Sequence, residues 1–67
     1  MEDTIKEFSG KILGTIRDEG SELVARNFSG KILGYYKKSS GTTTDFSGRI
    51  LAYGNILSAL IWQDAGH

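Results

Sequence analysis

The sequence predicts an all-β domain: an antiparallel meander of three hairpin-like repeats of 18 to 20 residues, with a β-prism or β-roll as alternative closures. Three observations carry this. An eight-residue phrase recurs, EFSGKILG at 7–14, NFSGKILG at 27–34 and DFSGRILA at 45–52. Polar, Gly-containing clusters at 18–21 and 39–41 fall between the recurrences, at the spacing of a β-meander. The intervening segments are rich in β-branched and aromatic residues, which favour a pleated surface.

The whole chain divides as one repeat domain into a lead-in at 1–6, repeats at 7–26, 27–44 and 45–62, and a tail at 63–67. An Asp or Asn, two residues and then Gly spell a type I turn closed by a glycine with positive φ. The short polar side chain bonds to its own turn, and only Gly enters that region without strain. Residues 27–30 and 45–48 therefore read as hairpin turns, and 7–10 is a weaker match because Glu7 replaces the Asp. Strands are predicted at about 4–7, 11–17, 22–26, 31–37, 42–45 and 49–53.

Strict alternation puts Ile12, Gly14 and Ile16 on one face of the second strand and Leu13 and Thr15 on the other. The fourth strand repeats this with Ile32, Gly34 and Tyr36 against Leu33 and Tyr35. Both faces then carry large aliphatic side chains, which predicts that both are covered, by a second layer or a second chain. Gly14, Gly34 and Ala52 keep one position small in each unit, a mark of close approach within a sheet. Phe8, Phe28 and Phe46 are the expected covers of those gaps.

Residues 54–62, GNILSALIW, break the pattern. They fit a buried strand, or one or two helical turns capped by Asn55 with Ile56, Leu57, Leu60 and Ile61 on one face; the strand is preferred. Either way so apolar and uncharged a run has to be covered. Leu57, Leu60, Ile61 and Trp62 are expected to pack on the aliphatic face of the repeats, in the same or a neighbouring subunit, and to serve self-association.

An Asp-x-x turn followed by Gly, Lys or Arg, two aliphatic residues and Gly resembles the unit of small bacterial β-hairpin repeat proteins. The resemblance runs from Glu7 to about Trp62, with Glu7 in place of the first Asp and Ala52 in place of the last Gly. It implies an all-β repeat fold and brings with it no catalytic or binding residue, since those proteins have no assigned activity.

Eight basic and eight acidic residues leave no net charge, so no global field advertises a nucleic-acid partner. Without cysteine, and with His67 as the one histidine, the chain offers no disulfide, thiolate metal site or internal imidazole. Asp18 and Glu19 are adjacent in a turn, where their side chains diverge. No enzymatic activity, cofactor or metal is expected. Lys11, Lys31 and Arg49 lack P-loop spacing and read as solvated strand starts.

Two binding alternatives stand beside a structural, homo-oligomeric module. Lys31, Tyr35, Tyr36, Lys37 and Lys38 lie in a stretch, 28–44, that has no acid, as single-strand nucleic-acid surfaces do, although alternation sends the two tyrosines to opposite faces. Equivalent small-ligand or glycan sites would use Asn27 and Asp45, which Glu7 does not match chemically. The longest apolar run, 56–62, is far short of the roughly 20 residues that cross a bilayer, and the opening residues lack a secretory pattern. No membrane partner and a cytoplasmic location are expected, where the acceptor-like Asn27-Phe28-Ser29 is inert.

Overall fold

A computed structural model describes residues 2–66. Six antiparallel strands form one sheet in which every strand pairs with its neighbour in sequence: β1 (Glu2–Lys6), β2 (Ile12–Asp18), β3 (Glu22–Asn27), β4 (Ile32–Lys37), β5 (Thr42–Asp45) and β6 (Ile50–Tyr53). A single helix, α1 (Leu57–Asp64), lies across β2, β3 and β4. The strand positions agree with the turn punctuation to within two residues.

The preferred strand at 55–62 is therefore corrected to a helix. Its entry is fixed by two side chains. Asn55 Oδ1 accepts the Leu57 N–H at 3.0 Å, satisfying one of the orphan donors of the first turn. Thr43, fully buried in β5, donates its hydroxyl to the Gly54 carbonyl at 2.5 Å and accepts the Ile56 N–H at 3.1 Å. Leu57 and Ile61, one turn apart, then point at the sheet and close a core with Leu13 and Ala25. Ile5, Ile16, Leu23, Leu33 and Tyr36 pack around it.

Strict alternation also fails, at the same place in each phrase. The register slips between Ile5 and Lys6, between Ala25 and Arg26, and between Thr43 and Thr44. The extra residue opposite each slip is Leu13, Leu33 or Leu51. Such a β-bulge leaves two successive residues on nearly one side. Leu13 thus joins Gly14 and Ile16 under the helix, while Ile12 is turned out and half exposed. The sheet has one covered face and one open one, not the two covered faces expected.

The small positions are close approaches, but not to phenylalanine. A Cβ on Gly14 would strike the Arg26 carbonyl oxygen and lie 2.9 Å from Ile61 Cγ2; one on Gly34 would strike the Thr44 carbonyl and lie 2.8 Å from Leu60 Cδ1. The helix seats on the bared backbone of β2 and β4. Phe8, Phe28 and Phe46 stand in solvent instead.

Candidate interaction surface

The turns are built alike from their side chains. Asn27 Oδ1 accepts the Ser29 N–H at 3.0 Å, the Ser29 hydroxyl at 2.8 Å and the Lys31 N–H at 3.0 Å. Asp45 Oδ1 accepts the matching groups of Ser47 and Arg49 at 2.9, 2.6 and 3.0 Å. Gly30 closes its turn at φ +90°, where a side chain is strained. The first turn substitutes a bond from the Ser9 hydroxyl to the Glu7 carboxylate. The Ser47 hydroxyl, backed by the Arg49 and Ser47 N–H groups and the Arg49 charge, outweighs desolvation and holds the Asp45 carboxyl below its ordinary range.

With the first residue and the serine of each phrase engaged in the turn, the phenylalanine is the apolar side chain left to project from its tip. In a meander the β1–β2, β3–β4 and β5–β6 turns share one end of the sheet. Phe8, Phe28 and Phe46 therefore form a row, about 10 Å apart at two strand widths each, and are 107%, 70% and 68% exposed. The charges divide with the ends. Lys6, Lys11, Arg26, Lys31 and Arg49 lie toward the Phe end with Glu7, Asp45 and Asp64, the last tied there by the Asn27 amide at 3.1 Å. Arg17, Lys37 and Lys38 lie toward the other end with Glu2, Asp3, Asp18, Glu19 and Glu22. The side-chain charges are thus polarised, with a surplus of two positive at the Phe end and two negative at the other.

The sheet edges also differ. β1 carries Glu2, Asp3 and Lys6, whereas β6 is uncharged, with Ile50, Leu51 and Tyr53 exposed. Because α1 sits over β2 to β4, the helix side near β6 keeps an open depression of about 320 Å³, whose apolar wall is Leu33, Phe46, Leu51 and Leu60.

The predicted site residues are separated by the sheet. Tyr36 packs against the core under the helix, and Lys38 Nζ contacts both Asp18 carboxylate oxygens at 2.9 and 3.0 Å. The Asp18 carboxyl is held low chiefly by the Gly20 N–H and then by Lys38. Tyr35 faces the open side, lining with Val24, Arg26, Ile32 and Glu22 a shallow depression of about 310 Å³, and Lys37 lies two residues along on that face. Lys31 stays at its turn. Leu57 and Ile61 are buried within their own chain, so they offer no surface to a second copy; Leu60 and Trp62 are partly buried beside them. His67 lies outside the described residues.

The exposed Phe row and the bare β6 edge were both missed from sequence. The doubled aliphatic pair before each small residue was the available sign of the bulge, and the fixed Asx-Phe-Ser-Gly order was the sign that the phenylalanine leaves the strand. Among the described residues no group of three or more acidic or histidine side chains could hold a metal, and no helix is long and apolar enough to cross a membrane. No family model, curated protein or solved structure matches the chain.

Proposed function

We propose that the protein is a non-enzymatic structural module that self-associates by adding the β6 edge of one copy to that of another. The observation that carries this is β6 itself: a four-residue edge strand, bulged at Leu51, that lacks Lys, Glu, Asp and Pro and leaves Ile50, Leu51 and Tyr53 in solvent. The unpaired N–H and C=O groups of an edge are a template for another strand, and β6 lacks the charged side chains that commonly block such pairing. A two-fold pair of β6 strands is antiparallel. It sets the positive end of one copy beside the negative end of the other and brings a second chain against the Leu51 side of the depression.

Size-exclusion chromatography with light scattering over a concentration series tests this. A dimer of the 7.3 kDa chain is expected. Leu51→Lys, which sets like charges near the two-fold axis, is expected to yield a folded monomer. A native chain that stays monomeric at the highest concentration overturns the proposal.

A further inference from the structure

We infer that the Phe-bearing end is a docking surface for an anionic lipid bilayer, engaged at its interface without crossing it. The three phenylalanines lie on turn tips, outside the ladder, where they add nothing to the core and leave apolar surface in water. The Phe28 and Phe46 turns are held by Asx bonds and a positive-φ glycine, and the Phe8 turn by the Ser9–Glu7 bond and Gly10, so each ring is carried on a hydrogen-bonded turn. Lys11, Lys31 and Arg49 come three residues after them, on the far side of each turn, and this end is the positive pole of the side-chain charges. Aromatic rings at headgroup depth beside cations are the two components of peripheral binding to acidic lipid, apolar burial and electrostatic attraction.

Charge decides against a second copy meeting this end through its own Phe row, which brings two positive poles together. A copy meeting it tail-first is attracted by charge but offers a polar surface rich in carboxylates, with Tyr53 as its exposed aromatic and no apolar row to match the three rings. The row has no enclosed groove to grip a single protein segment; a fluid interface needs none. Each copy binds through its own turns, so the inference stands or falls apart from the β6 pairing.

Co-sedimentation of the full chain with vesicles, either pure phosphatidylcholine or about one-third phosphatidylserine, at low and physiological salt, tests it. Binding to the anionic vesicles only is expected, weakened by salt. The double variant Phe8→Ser/Phe28→Ser, which leaves Phe46 beside β6 untouched, is expected to lose more than about tenfold in affinity while keeping the native far-ultraviolet spectrum. Equal pelleting of the variant and the native chain overturns the inference, as does a native chain that stays in the supernatant. A fall in lipid-free mass caused by the double variant also overturns it, by making the row a contact between copies.

Discussion

Thr43 and Thr44 are adjacent, buried and alike in chemistry, yet they carry opposite obligations. The Thr43 hydroxyl holds both backbone groups that lead into the helix, whereas Thr44 Oγ1, on the other face, is buried without a partner. Replacing a hydroxyl that satisfies buried groups leaves them unpaired, while removing an unsatisfied one relieves a desolvation cost. Thr43→Val is therefore expected to cost about 1–3 kcal/mol and Thr44→Val nothing or less than nothing, read from urea midpoints at constant slope. Equal losses would refute the assignment. Asp45 and Asn27 form a second internal comparison. Because the folded Asp45 carboxyl titrates below its unfolded counterpart, its contribution is complete above the unfolded pKa of about 3.9 and disappears as pH falls through the folded value. Asp45→Asn keeps the acceptor, as Asn27 does, so its stability is expected to fall less steeply below about pH 4; an unchanged acid profile would show that the carboxylate charge has no role.

At the scale of elements, the helix and the two bare glycines define each other. Gly14→Ala places a methyl against the Arg26 carbonyl and Ile61, backbone on one side and a fully buried side chain on the other, so neither yields easily. A loss of about 1–3 kcal/mol is expected in thermal unfolding, with near-ultraviolet changes at Trp62; wild-type behaviour would mean that α1 is not seated on β2. The strands were legible because their boundaries are written locally, in Asx-x-x-Gly turns that need nothing from the rest of the chain. The helix was not, because a seven-residue run with six apolar members satisfies both periodicities and the choice rests on Thr43, thirteen residues upstream of Ile56. Face assignment failed for a related reason: one extra leucine per phrase shifts which residues share a side, and alternation counted along a single strand does not register a partner's slip. Of the candidate surface, only the separation of Tyr35 from Tyr36 to opposite faces was legible; the Phe row required knowing which turns share an end.

The molecule as a whole is a ladder in which no strand skips its neighbour. Each rung closes after one short turn, so the loop entropy lost before a contact forms stays small throughout the sheet, and the helix reaches farthest back in sequence. This has a consequence in time. Folding rates follow the mean sequence separation of contacts, and an ordinary β-sandwich is slow because its pairings are remote. Here hairpins can form and zip in either direction, with α1 docking last onto β2, β3 and β4. Stopped-flow refolding is expected to finish within milliseconds, ahead of sandwiches of comparable length. It should lack a proline-limited slow phase, since the chain contains no proline.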